Sequence, residues 1–289
     1  MLKASAINAA RPANSALGLR RCRYGTMMYL RRDMYVGRSL DLYGEYSEGE
    51  VALFRQVLAA GDTVLDIGAN IGAHTVAMAQ LVGPAGSVYA FEAQRVLLQI
   101  LCGNVALNEF ANVHAFPSAA GRARGRIAVP ALDYTRVDNF GGIAIGQGGG
   151  EEVDLVAVDE LRLRQVKLIK IDVEGMELDV LQGCEDTLNR CRPLLYVEND
   201  RAQQSSSLVA HLLRKQYRLW WHMPPLFNPA NFLGNPQNVF GNIVSFNIFA
   251  SPRERAGEQP NLREIRSPEE ATQWLTGAAT ATDGRLSEI

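Results

Sequence analysis

The stretch Thr63-Val64-Leu65-Asp66-Ile67-Gly68-Ala69-Asn70-Ile71-Gly72-Ala73-His74 decides how the chain is read. Val64, Leu65 and Ile67 form a short apolar run, the pattern of a buried strand in a parallel sheet. Gly68 and Gly72 bracket a tight turn, after which Val76, Met78, Leu81 and Val82 mark an amphipathic segment. A strand that ends in glycines and opens into a helix presents backbone to a nucleotide-like ligand.

The spacing narrows the ligand. A dinucleotide fingerprint, G-x-G-x-x-G, lets backbone touch a pyrophosphate. Here the pattern is Asp66-x-Gly68-x-Asn70-x-Gly72, with an acid before the glycines and the third glycine missing. A carboxylate there repels a pyrophosphate and suits a ligand with an amino group and a positive charge, such as S-adenosylmethionine. Twenty residues after Gly72 stands Glu92, at the end of Ser87-Val88-Tyr89-Ala90-Phe91. An acid at the tip of the second strand is placed to accept hydrogen bonds from ribose hydroxyls. These features speak against an NAD-dependent oxidoreductase.

The chain has 289 residues, a net charge of −2 and 47% hydrophobic residues, enough for one large domain with appendages. No domain-scale basic excess points to nucleic acid, and no apolar run reaches the length of a membrane span. The four cysteines stand far apart without a C-x-x-C, which fits a reducing, cytoplasmic setting. Residues 1–22 lack acids and carry Lys3, Arg11, Arg20 and Arg21, so they read as a flexible basic arm without the apolar core of a secretory signal.

Residues 23–61 read as a small hairpin, formed around Tyr24–Gly37, and a cap helix opened by a Ser47/Glu50 capping box. Tyr46, Ser47 and Glu48 are open to two roles, a helix cap or a cover over the ligand. Residues 62–250 alternate strand and helix, which predicts an α/β domain with a parallel sheet. Within it, 122–130 reads as a hairpin, 138–150 as a glycine-dense loop, 223–242 as an irregular Asn/Pro excursion and 243–249 as the final strand. Residues 251–289 read as a polar tail with one helix near 268–276.

Four strand ends carry polar groups: Asp66, Glu92, the Asp172/Glu174 pair and Glu198-Asn199. In open α/β sheets the ligand sits outside the carboxyl ends of the strands, so four polar ends on one edge form a site, whereas one or two could be helix caps. The sequence resembles the FkbM family of S-adenosylmethionine-dependent methyltransferases. The resemblance rests on Val64–Gly72, Phe91-Glu92, Ile169-Lys170-Ile171-Asp172-Val173-Glu174-Gly175-x-Glu177 and Glu198-Asn199, and spans roughly residues 43–249. Where the family usually has Pro after Phe-Glu, this chain has Ala93-Gln94.

The resemblance implies the class I methyltransferase (Rossmann-like) fold, mostly parallel with an antiparallel last strand. It also implies O-methylation of a sugar, polyketide or similar secondary metabolite. On this basis Asp66, Gly68, Asn70 and Gly72 would cradle the methionine part of the donor and Glu92 the ribose, with Ser118 and Ala119 beside the adenine. Asp172 would stand near the sulfonium and the incoming hydroxyl. The chemistry is in-line displacement, in which the protein aligns the partners and removes a proton. Candidates for the base are Asp172, Lys170, Glu198 and His222, with Lys170 equally readable as an ion-paired core residue and His222 as a structural histidine. Tyr46, Glu174, Glu198 and Asn199 are candidates for the substrate side. By analogy with catechol O-methyltransferase, Asp172, Glu198 and Asn199 could hold Mg2+. An N- or carboxyl-methyltransferase and a non-catalytic binding module remain open, as does a dimer. The partner is a small molecule or glycan.

Overall fold

The computed structural model describes residues 15–146, 149–257, 259 and 261–281. It opens with an antiparallel hairpin of β1 (Leu17–Cys22) and β2 (Gly25–Leu30), followed by α1 (Val36–Tyr43) and α2 (Glu48–Val57). Residues 17–22 are therefore a strand and not part of a loose arm. Gly18 and Cys22 are buried in it, and Arg20 reaches Asp41 at 3.5 Å. Residues 1–14 of the expected arm lie outside the described residues. Val36-Gly37 begin a helix, not a strand, because the buried Asp33 carboxylate accepts the N–H groups of Tyr35 and Gly37 (3.0 and 3.1 Å) and caps that turn.

The core then alternates as the apolar runs predict: β3 (Thr63–Ile67), α3 (Ala73–Val82), β4 (Ser87–Phe91), α4 (Arg95–Leu107) and β5 (Val113–Phe116). A separate three-stranded sheet follows, made by β6 (Ser118–Ala120), β7 (Gly125–Val129) and β8 (Glu151–Val156). Here the expected hairpin within 122–130 is replaced: β7 pairs antiparallel with β8 across the glycine-dense segment, and β6 pairs parallel with β8. The main sheet resumes with β9 (Leu168–Ile171), α5 (Glu177–Gln182), α6 (Glu185–Cys191), β10 (Leu194–Glu198), α7 (Ala202–Arg214), β11 (Tyr217–His222) and β12 (Asn247–Pro252). It ends with β13 (Arg263–Ile265) and α8 (Pro268–Ala281).

The strand order is β5-β4-β3-β9-β10-β12-β11-β13. Strands β5, β4, β3, β9 and β10 are parallel, and β12 runs antiparallel between β10 and β11. This is the mostly parallel sheet with an antiparallel last long strand that the class I methyltransferase fold requires. The strand expected over 243–249 starts at Asn247 and not at Ile243, so 243–246 stay outside it. Their backbone groups go instead to Pro224, Leu226 and Asn199. The C-terminal segment is also more than a polar tail. β13 extends the sheet, and α8 packs Ala271 and Leu275 into the core, with Trp274 4.7 Å from Trp221. Ala271, Trp274 and Leu275 share one helical face at i, i+3, i+4 spacing within a polar stretch.

Strand alternation divides the side chains between two faces. Asp66, Lys170, Tyr196, Phe249 and Trp220 are register neighbours across five strands and share one face. That face is covered by α2 and α3, with Phe54 5.0 Å from Tyr196. The opposite face, with Leu65, Ile169, Leu195 and Trp221, packs against α5, α6, α7 and α8. Because Leu275 is 4% exposed, Leu275→Ala should cost about 2–5 kcal/mol of stability in urea unfolding; a solvated tail would show no change.

Candidate active site

A cavity of about 190 Å³ opens at the carboxyl ends of β3, β4, β9 and β10. Its first half is made by the turn after β3 and the end of β4. At Gly68 φ is +79°, and a Cβ there would stand 1.7 Å from the Asp172 carbonyl oxygen, so glycine alone lets this turn pass the end of β9. Glu92 accepts the Asn70 N–H on Oε2 (2.8 Å) and the Gln94 N–H on Oε1 (2.7 Å). Both oxygens are held in place and keep lone pairs for further donors. Burial pushes the Glu92 carboxyl up to about 7, against those two hydrogen bonds. Ser118 and Ala119 line the same half. Gln94, part of the Ala93-Gln94 pair that follows Glu92, donates to the Phe140 carbonyl (2.7 Å) and brings Asn139, Gly141 and Gly142 along the cavity wall.

The second half is acidic. Asp172 after β9, Glu174 in the next turn and Glu198 at the end of β10 bring carboxylate oxygens within 4.8 Å of one another. Glu174 holds a left-handed φ of +56°, with Gly175 at +100° behind it, a costly conformation of the kind found at functional turns. Arg201 pairs with Glu174 and stands 3.7 Å from Asp200. Burial first, and Asp172 next, push Glu174 up to about 7. The same two causes, joined by Glu174, push Glu198 well above the carboxylate range. One buried Glu198 oxygen has no hydrogen-bond partner.

Not every expected residue reaches the cavity. Gly68, Asn70, Glu92, Ser118, Ala119, Tyr46, Lys170, Asp172, Glu174 and Glu198 line it. Asp66 does not. It is fully buried beneath the floor, with Oδ2 accepting from Thr75 Oγ1 (2.6 Å) and Oδ1 3.6 Å from Lys170 Nζ. Gly72 is the first-turn cap of α3, packed against Leu101, and lies behind the wall. Lys170 lines the cavity as the ion-paired core residue that sequence also allows. Burial opposes its charge, yet Asp172, Asp66 and Glu50 together hold its pKa above the ordinary lysine value, so it stays protonated. His222 is occupied elsewhere: its Nδ1 meets the Tyr196 hydroxyl at 2.9 Å, and burial lowers its pKa to about 4. Asn199 turns away and donates to Ser205 Oγ (2.9 Å), so Glu174 takes its place in the oxygen cluster.

Sequence reasoning gives no role to several residues that line the cavity, among them His74, Gln94 and Asp200. His74 lay inside the opening motif, two residues after Gly72. Its position at the start of α3 was the available signal.

The family model described as "Methyltransferase FkbM domain" matches residues 66–219, more than half of the chain. The chain belongs to the FkbM methyltransferase family. The groups present fit S-adenosylmethionine, the methyl donor that the resemblance implies. The glycine turn leaves backbone accessible, Glu92 keeps free acceptor lone pairs for ribose hydroxyls, and the acidic half complements a sulfonium charge. Among solved structures, the chain is similar to a methyltransferase FkbM from Methylobacillus flagellatus KT at 18% identity and a TM-score of 0.44; the alignment covers 65% of this chain and 43% of that one. It is also similar to a putative methyltransferase from Streptococcus mutans in complex with SAH (11% identity, TM-score 0.43, 71% of this chain and 96% of that one). A third match is a SAM-dependent O-methyltransferase from Thermotoga maritima (14% identity, TM-score 0.41, 72% and 66%). A search of curated proteins returned no match. Among the described residues no helix is long and apolar enough to cross a membrane.

The geometry separates two acidic residues that sequence treats alike. Calorimetry with S-adenosylmethionine should show Glu92→Ala weakening donor binding by about tenfold or more, the loss of a charge-assisted contact. Asp66→Ala should instead act first on stability, at about 3–5 kcal/mol, because it leaves buried Lys170 short of a partner.

Proposed function

We propose that this chain transfers the methyl group of S-adenosylmethionine to a hydroxyl of a small molecule or glycan, of the sugar, polyketide or other secondary-metabolite kind. The observation that carries the reading is a cavity with one acidic wall, Asp172, Glu174 and Glu198, and one apolar wall that includes Tyr46, Leu226, Ile243 and Phe246. Carboxylates accept hydrogen bonds from hydroxyls, and aromatic and aliphatic faces cover a sugar ring or a carbon scaffold. In the transfer the S–CH3 bond breaks with its electron pair going to sulfur, an O–CH3 bond forms, and the hydroxyl proton leaves. The site's task is alignment and proton removal. Lys170 Nζ, 3.2 Å from Asp172 Oδ2, fixes that carboxylate at the mouth of β9, where 40% of the side chain is exposed.

The same three carboxylates also suit a divalent cation such as Mg2+, since hard oxygen donors within reach of one another are its usual ligands. Asp172, Glu174 and Glu198 would hold it, in place of the Asp172, Glu198 and Asn199 set read from sequence. It would relieve the like-charge repulsion among them and supply Lewis acidity to the acceptor oxygen.

Incubation with methyl-labelled S-adenosylmethionine and a panel of glycosides and hydroxylated aromatics should yield a labelled methyl ether; label found only on nitrogen or carboxylate would reject the reading. With the acceptor so identified, Asp172→Asn should lower kcat by about 10²-fold or more while donor affinity holds. Exhaustive EDTA should abolish turnover and added Mg2+ restore it if the cluster binds metal; full activity after chelation would show that the carboxylates act unaided.

A further inference from the structure

Beneath the apolar wall stands a polar pair that the reading above does not use. His74, on the first turn of α3, lines the cavity, yet it is only 6% exposed and its Nε2 has no hydrogen-bond partner. That nitrogen faces Glu50 Oε2 at 3.7 Å. Glu50 comes from α2, is 4% exposed, and takes the Ser47 hydroxyl on Oε1 at 2.8 Å. The Ser47/Glu50 pattern is thus a side-chain contact and not a backbone capping box, which frees Glu50 to turn inward. The imidazole is clamped between the rings of Tyr46 (5.4 Å) and Phe54 (5.7 Å), so its orientation is set.

A buried, unpartnered ring nitrogen is costly unless it has a use. If Nε2 carries the proton and points at Glu50, Nδ1 is left as a bare acceptor. We propose that His74, backed by Glu50, touches the acceptor and takes the proton of its hydroxyl during methyl transfer. The inference rests on hydroxyl methylation as the reaction. As the O–CH3 bond forms, the proton passes to His74 Nδ1, and the Glu50 carboxylate offsets the imidazolium. His74 is then the catalytic base and Glu50 a positioning residue.

The surroundings fit. Burial, with Lys170 second, holds His74 well below the ordinary histidine value, so it waits neutral. Burial pushes Glu50 up to about 7, with Lys170, Ser47 and Ser245 lowering it and Asp172 raising it. Glu50 is therefore ionised above about pH 7 and neutral below, and only the ionised form supports an imidazolium. Turnover should fall as pH drops through about 7. Glu92 and Glu174 titrate in the same range, so Glu50→Gln is the variant that isolates this contribution.

The test has two arms on the full chain, the first with SAH bound and the second with S-adenosylmethionine as methyl donor, and SAH binding is the check on folding in both. In the first, 15N-histidine NMR from pH 6 to 8, with His74→Gln used to assign the signal, should find His74 neutral, Nε2 protonated and Nδ1 bare. Glu50→Gln should disturb that tautomer. A cationic His74, or one protonated at Nδ1, overturns the proposal. In the second, with the hydroxyl acceptor found by label transfer, His74→Gln should lower kcat by about 10²-fold or more at unchanged donor affinity. Glu50→Gln should lower it about tenfold at pH 8 and flatten the fall below pH 7. Unchanged kcat in His74→Gln overturns this inference alone. A chain that binds SAH but methylates no hydroxyl overturns the hydroxyl reading and this inference with it.

Discussion

A single buried cation organises this site. Lys170 sits in a central strand with 3% of its side chain exposed, 3.6 Å from Asp66 and 3.2 Å from Asp172, and Glu50 adds to the same field. An ammonium group taken from water is tolerated only when carboxylates meet it. The pairing therefore constrains three segments at once. Asp66 must sit beside Lys170 in register on β3, Asp172 must fold back at the end of β9, and α2 must lie where Glu50 faces the same face of the sheet. The charge thus acts on all three, beside the contacts each makes with Thr75, Ser47 or Ile67.

This constraint also explains why the motif acid Asp66 does not line the cavity. Parallel pairing places Asp66 opposite Lys170, and alternation sends both to the face covered by α2 and α3. The turn beyond, from Gly68 to Asn70, is what reaches the cavity. Asp66 shapes the donor site by fixing the strand from which that turn departs. Glu92 differs because it lies one residue beyond its strand, where backbone N–H groups of Asn70 and Gln94 meet it and the cavity begins.

The parallel core and the strand-end acids were legible because buried strands write themselves as apolar runs, and a strand end marks where a ligand can sit. Sequence could not say which way a residue points once the regular run stops. Asn199 and Glu174 are equally placed as donors by spacing, yet the positive φ at Glu174 brings it inward while Asn199 turns to Ser205. His222 looked available at the end of an aromatic strand, but its ring was already claimed by Tyr196, whose position depends on β10 lying two strands away. The hairpin boundary and the packing of the C-terminal helix, whose presence near 268–276 is legible, are hidden for another reason. Their apolar residues are sparse among charged ones, so composition masks a pattern that only pairing with Leu30 or with Trp221 makes visible.

The two halves of the cavity also differ in where they come from. The donor half is built from the turn after β3, the end of β4 and residues 118–120, all within the stretch 66–219 that matches the family. Much of the other half lies outside it. Tyr35 and Tyr46 come from the N-terminal extension, and Leu226, Ile243, Ser245 and Phe246 from the excursion before β12. These outer parts are tied to each other. Glu45 receives Asn228 and the Phe232 N–H, and the Tyr43 hydroxyl donates to Gln237. A change in one therefore moves the other, and with it the wall that meets the acceptor, while the donor turn stays fixed by the Lys170 pairing. Glu50 belongs to the outer set and Lys170 to the inner one, so the pair at His74 is the point where the two are coupled.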